Sequence, residues 1–240
     1  MDDIMKILCT ICARGGSQGV KNKNIRLLSG MPLIAHSITQ AKKSHLFELV
    51  AVSSDSSKIQ TISRKWGADF IVRRPDELAT ATISKIPAIQ HAVREIEYFY
   101  GLKYDYIVDL DATAPLRTID DITQSFNMLL AHKTADNLVT ACVARKSPYF
   151  NMLEVNANGF VTLAKQHDNM IHRRQDAPIC YDMNASIYIW KRDALFSSLR
   201  AISERTILYA MPEERSIDID TMLDLKLVKL LLTNKENIEA

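Results

Sequence analysis

Three short stretches carry residues whose types and spacing could do chemistry on a phosphorylated substrate. The first, Cys12-Ala13-Arg14-Gly15-Gly16-Ser17-Gln18-Gly19-Val20-Lys21-Asn22-Lys23-Asn24, joins a hydrophobic run to a glycine-rich, basic loop with no acidic residue. Glycines let a backbone turn sharply and aim N–H groups at an anion, and Arg14, Lys21 and Lys23 add side-chain charge. The loop lacks the Gly-Lys-Ser/Thr ending of a P-loop and the G-x-G-x-x-G of a dinucleotide fingerprint, so taken alone a solvated turn accounts for it equally well. The second stretch, Asp109-Leu110-Asp111-Ala112-Thr113-Ala114-Pro115-Leu116-Arg117, runs from a hydrophobic strand into two carboxylates and a proline turn. Its alternative reading is a turn-capping Asp109 and a solvated Arg117. The third, Ser216-Ile217-Asp218-Ile219-Asp220-Thr221, separates two carboxylates by one residue, which on an extended strand puts both on one face. That spacing suits Mg2+, which takes a few carboxylate oxygens plus waters and substrate phosphates; the alternative is that Asp220 caps the last helix.

These stretches need a scaffold that brings them to one place. Strand-like runs at Met5 to Cys12, Leu49 to Ser53, Phe70 to Val72, Tyr106 to Leu110 and Asn137 to Val143 alternate with helical patterns at Pro32 to Lys43, Ser57 to Trp66, Ile86 to Tyr98 and Ile119 to Ala131. Such alternation predicts βαβ units and a largely parallel sheet. Ligands bind outside the carboxyl ends of such strands, so the Arg14 and Asp111 loops should face one crevice. From about 144 to 183 the alternation lapses into an irregular excursion, and long excursions of that kind are usually functional or interfacial. Strands at Ser186 to Trp190 and Thr206 to Ala210, with helices at Arg192 to Leu199 and Met222 to Leu232, complete a single domain over 1–240.

Composition narrows the function classes. A formal charge of +2 on 240 residues gives no chain-wide reason to expect nucleic acid. No apolar run approaches a membrane span, and the acidic start Met1-Asp2-Asp3 differs from a signal-peptide opening; the expectation is a cytoplasmic protein with no membrane partner. Cys9 and Cys12 have C-x-x-C spacing, but residues three apart on a strand face opposite ways, so they read as buried thiols rather than ligands. The histidines show no zinc spacing; His172 alone falls in a segment that could approach a substrate.

Taken together, Ala13-Arg14-Gly15-Gly16-Ser17 with Lys23-Asn24, Ser53-Ser54-Asp55, Arg74-Pro75-Asp76-Glu77-Leu78-Ala79, Thr113-Ala114-Pro115-Leu116-Arg117, Arg173-Arg174-Gln175 with Pro178, Tyr181 and Asn184, and Asp218-Ile219-Asp220 resemble the CMP-sialic acid synthetase family over nearly the whole chain. This family of acylneuraminate and nonulosonate cytidylyltransferases includes enzymes for legionaminic and pseudaminic acids. The resemblance implies a Rossmann-like nucleotidyltransferase fold, and a homodimer in which the 144–183 excursion completes the partner's site. The reaction it implies joins CTP and a nonulosonic acid into a CMP-sugar with release of pyrophosphate. Carried onto matching positions, it puts Arg14, Gly15, Ser17, Lys23 and Asn24 around the nucleotide, Arg73 and Ser84 near base and ribose, and Asp111, Arg174, Tyr181 and Asp182 near the sugar. Asp218 and Asp220 would ligate Mg2+, and Arg14 and Lys23 would join them in catalysis.

The chain departs from the family's pattern at Gln18, where relatives often have Lys, at Asp111, where they have Gln, and at Asp182, where they have Arg. Two acidic groups near the sugar predict a substrate that offers hydrogen-bond donors there, and so a modified nonulosonate rather than N-acetylneuraminic acid. Asp111 as a further metal ligand is the competing expectation. A nucleotidyltransferase for another sugar acid, and a nucleotide-binding module with impaired catalysis, are the alternative functions.

Overall fold

The computed structural model describes residues 5–17, 19–167 and 171–238; Gln18 and the Met1-Asp2-Asp3 start lie outside them. The elements run β1 (Ile7–Cys12), β2 (Leu27–Leu28), β3 (Met31–Pro32), α1 (Leu33–Ser44), β4 (Leu49–Ser54), α2 (Ser57–Lys65), β5 (Phe70–Arg73), α3 (Lys85–Tyr100), β6 (Tyr106–Leu110), α4 (Ile119–Ala131) and β7 (Asn137–Val143). They continue with β8 (Leu153–Val155), β9 (Val161–Leu163), β10 (Tyr181–Lys191), α5 (Arg192–Ser197), β11 (Thr206–Ala210) and α6 (Met222–Ile238). Seven strands form one sheet in the order β11-β7-β10-β6-β1-β4-β5. Every pairing in it is parallel except those of β10, which runs antiparallel to β6 and β7.

The sheet is covered on both faces because its strands are apolar on both. Ile7, Cys9 and Ile11 pack with Ile34 and Ile38 of α1 and with Ile122 and Phe126 of α4, while Leu8 packs with Ile89, Val93 and Ile96 of α3. Cys9 belongs to the first face and Cys12 packs on the second, as strand alternation requires, and both thiols are free. Burial pushes the Cys12 thiol up to about 12, which keeps it protonated. A third cluster, with Val20, Leu28, Leu33, Leu116, Ile219 and Val228, ties the later part of the first loop to β2, α1, the loop after β6, the residues before α6 and α6 itself.

The structure corrects several expectations. β10 is an 11-residue strand that begins at Tyr181, so residues 181–183 belong to the sheet rather than to the excursion. Its register slips between Met183 and Tyr188, where Ala185 has φ 52°. The slip is stabilised by the buried Asn184 amide, which accepts from Thr140 Oγ1 at 2.7 Å and donates to Ser216 Oγ at 3.0 Å. Side-chain hydrogen bonds that fill a bulge leave no trace in hydrophobic periodicity, and a shorter strand was expected for that reason. Within the excursion, β8 and β9 form an antiparallel hairpin whose residues are all exposed. Residues Ser216 to Asp220 follow a one-turn helix (Glu213–Arg215) and are not a strand. Thr221, not Asp220, caps α6: its Oγ1 accepts from Asp224 N at 3.2 Å and Asp224 Oδ2 accepts from Thr221 N at 2.6 Å.

Candidate active site

The loops at the carboxyl ends of β1, β5 and β6 and the segment before α6 meet around a cleft of about 510 Å³. Arg14, Ser17, Gly19, Lys23 and Asn24 line it from the first loop, Asp111 and Thr113 from the loop after β6, and Asp218 and Asp220 from the far side. Arg74, Ser84 and Lys85 also line it. The two loops expected to face one crevice do so, because parallel strands bring their carboxyl ends to one edge.

The first loop is held by its own polar groups. Gly15 N–H donates to Asp55 Oδ1 at 2.9 Å, and a Cβ there would sit 3.1 Å from Ser56 Cβ. That amide is therefore committed to the protein, and Gly15 lines a smaller adjoining recess with Arg14, Ser17 and Asn24 rather than the main cleft. The Asn24 amide, 6 % exposed, donates to the Arg14 carbonyl at 2.9 Å and so closes the loop. A Cβ on Gly19 would run into the Asp220 carbonyl oxygen, so only glycine lets this loop lie against the Asp218–Asp220 segment. Lys23 Nζ reaches across and pairs with Asp220 Oδ1 at 2.8 Å.

Arg73 was expected near the base, yet it is exposed at the end of β5; its neighbour Arg74 lines the cleft instead. Arg74 is 6 % exposed and donates to the Ser53 carbonyl at 2.9 Å and to Ser53 Oγ at 3.2 Å. Strand alternation explains the one-residue error: the two arginines face opposite ways.

Sequence reasoning missed Lys85, the first residue of α3. Its Nζ lies 2.6 Å from Asp109 Oδ2 and 2.8 Å from Asp111 Oδ2. Asp109 is fully buried and its Oδ1 accepts from Thr10 Oγ1 at 2.8 Å. Asp111 Oδ1 accepts from both Thr113 N and Thr113 Oγ1 at 2.8 Å. Burial raises the Asp111 carboxyl, but the Lys85 charge and the Thr113 hydrogen bonds prevail and hold it at about 2. Asp111 is thus ionised and engaged on both oxygens, not the free acceptor expected. The signal that could have found Lys85 is a lysine at a helix start beside Ser84, one position from a residue already singled out.

Arg117 is neither solvated nor in the cleft. It is 2 % exposed and donates to the Ser186 carbonyl at 2.6 Å, the Asp111 carbonyl at 2.8 Å, Gln40 Oε1 at 3.0 Å and Ser37 Oγ. It shapes the loop that carries Asp111. Arg174, Tyr181 and Asp182, which the resemblance puts near the sugar, are exposed, as is His172, and none of them lines the cleft. Arg174 donates to the Ala144 carbonyl at 2.7 Å, which holds it on the excursion side.

Asp218 and Asp220 present a different electrostatic state. Asp218 is only partly buried, and burial first, then the nearby Asp220 charge, push its carboxyl above the usual range. A cation would relieve that repulsion, so the pair fits Mg2+ held with waters and substrate phosphates. Among the described residues no group of three or more His, Cys, Asp and Glu side chains is arranged to hold a metal.

The chain matches the cytidylyltransferase family over residues 8–240. It is 44 % identical over 235 residues to post-translational flagellin modification protein B of Campylobacter coli, covering 98 % of each chain. It is 42 % identical over 230 residues to CMP-N,N'-diacetyllegionaminic acid synthase of Campylobacter jejuni subsp. jejuni, covering 96 % of each. The structure of CMP:2-keto-3-deoxy-manno-octonic acid synthetase complexed with CTP aligns over 96 % of this chain and 99 % of that one, with TM-score 0.66 at 17 % identity. That likeness shows the fold.

Proposed function

Because the chain belongs to the cytidylyltransferase family, we propose that it transfers CMP from CTP to the anomeric hydroxyl of a nonulosonic acid of the legionaminic type, releasing pyrophosphate. The observation that carries this reading is the cleft, in which a cationic loop with Arg14 and Lys23 stands opposite the Asp218–Asp220 pair. The 42 % identity to a CMP-N,N'-diacetyllegionaminic acid synthase over 96 % of each chain supports the sugar class.

The chemistry asks for positioning and charge. The anomeric oxygen attacks the α-phosphorus in line while negative charge collects on the departing pyrophosphate, so fixed cations and oriented donors can supply much of the rate. Arg14 and Lys23 offer cations to the phosphates, Ser17 a hydroxyl, and Arg74 and Ser84 approach the base and ribose. Lys23 must leave Asp220 to do so. Mg2+ held by Asp218 and Asp220 would supply charge to the phosphate oxygens, and the rest of the site is built from the chain itself.

The protein acts as a homodimer in the cytoplasm on this reading. Supporting the dimer, Leu153, Val155, Phe160 and Val161 of the β8–β9 hairpin and Ile179, just before β10, are 59 to 72 % exposed; exposed apolar side chains gathered on one segment are the kind of surface that associates. No described helix is long and apolar enough to cross a membrane.

Pyrophosphate release from CTP with legionaminic, pseudaminic and N-acetylneuraminic acids tests the reading. Release with at least one is expected, fastest with the legionaminic type. No release with any of them, from folded protein supplied with Mg2+, would overturn it.

A further inference from the structure

We propose that Lys85 is the donor that binds the acceptor sugar and helps select it, taking the place expected of Asp111. The inference rests on the proposed function and deepens it. Lys85 begins beside Ser84, on the side of the cleft served by β1, β4 and β5, and its ammonium ends at Asp109 and Asp111 of β6 and the loop after it. It also lies 5.4 Å from the centre of the Tyr188 ring on β10. β10 is next to β6 on the side away from β1. With the nucleotide on the β1 side, where Arg14 and Arg74 stand, the sugar is left the β6 and β10 side, and there the Lys85 ammonium reaches the cleft.

The hydrogen-bond count fixes the sign of the contact. Asp109 and Asp111 are engaged by Thr10, Thr113 and Lys85 itself. An ammonium has three N–H groups; one donates to Asp111 Oδ2 at 2.8 Å, the charge pairs with Asp109 Oδ2 at 2.6 Å, and the Lys85 side chain is still 26 % exposed. Arg117, buried behind the loop on the Asp111 carbonyl, adds a second positive charge within electrostatic reach of both carboxylates. The cluster is therefore neutral overall and presents a donor. It suits an oxygen acceptor on the sugar, whether a hydroxyl, an amide carbonyl or a carboxylate, and not an amine donor. That reverses the polarity that two acidic residues suggest.

Removing Lys85 alone strands buried Asp109, so Lys85→Gln is best made together with Asp109→Asn. The KM for the wild type's best nonulosonate should rise about tenfold or more, with the calorimetric Kd for CTP within about twofold. Lys85→Arg keeps a cation for both carboxylates but spends its planar fork on them; it should keep the melting temperature and still raise the sugar KM. An unchanged sugar KM in both variants, or Lys85→Arg restoring wild-type kinetics, would make Lys85 a structural strut and overturn the proposal. So would a fall in CTP affinity equal to the rise in sugar KM. If the wild type accepts no nonulosonate, the proposed function fails first and this inference with it.

Discussion

Asp109 and Asp111 have the same spacing as Asp218 and Asp220, and three of these four carboxylates line one cleft, yet the two pairs are in opposite electrostatic states. The first pair is closed. Lys85 bridges both members, Thr10 and Thr113 take the remaining oxygens, and Asp111 is held at about 2. The second pair is open. Asp218 is pushed up by burial and by Asp220, and among the described residues a single cation, Lys23, pairs with Asp220 and none with Asp218. Two carboxylates one residue apart therefore say nothing of their job until the nearest cation is known. A pair already matched with a cation holds the fold; a pair short of charge is the one proposed above to take a divalent cation.

The largest effect should come from the open pair. Asp218→Asn or Asp220→Asn should cut turnover about a hundredfold or more, the scale of losing one preorganised charge contact at the transition state. Asp218→Asn should not lower the melting temperature, because ionised Asp218 is disfavoured in the fold. Near-normal pyrophosphate release would erase the distinction between the pairs. The closed pair should show the converse. Asp109→Asn takes the buried carboxylate away from Lys85, which keeps only Asp111, and should cost about 1 to 3 kcal/mol of stability in urea unfolding. A loss well under 1 kcal/mol would mean the ion pair is not closed.

How much of this was legible in sequence follows the same line. The parallel sheet and the meeting of the Arg14 and Asp111 loops were legible, since hydrophobic alternation and strand polarity are local properties with global consequences. The start of β10 was not, because Asn184 fills its bulge with hydrogen bonds to Thr140 and Ser216, far away in sequence. The family resemblance puts Arg73 near the base, and the structure brings its neighbour Arg74 to the cleft instead, because adjacent residues at a strand end face opposite ways. Lys85 went unseen because its meaning lies in two carboxylates 24 and 26 residues away. Gly15 and Gly19 looked alike as loop glycines, yet one gives its amide to Asp55 and the other makes room for the Asp220 carbonyl.

A smaller effect separates the pairs by pH. With the folded Asp111 carboxyl at about 2 against an ordinary 3.8, the unfolded chain takes up its proton first as pH falls. The stabilisation is whole above the ordinary value and is lost as pH drops from 3.8 towards 2. Asp111→Asn should flatten that part of the stability profile measured by urea unfolding. Asp218, raised rather than lowered, gives the opposite sign, so Asp218→Asn should not flatten it. An identical acid slope in wild type and Asp111→Asn would contradict the closed state of the first pair.

The smallest effect probes whether Lys23 holds the second pair's place for a metal. Lys23 is mostly covered, with 15 % of its side chain exposed, while the Asp220 side chain is 69 % exposed. A solvent-facing ion pair of this kind contributes about 1 kcal/mol at most, which sets a ceiling of about fivefold on what its removal can do to a competing cation. Lys23→Gln should accordingly strengthen Mn2+ binding to the CTP-free protein by up to about fivefold, read from free Mn2+ by electron paramagnetic resonance. The same variant should weaken CTP, because the cation that leaves Asp220 is the one the phosphates lose. Opposite signs for the two ligands would show one lysine shared between carboxylate and nucleotide; a loss of both affinities would show Lys23 holding the loop in shape instead.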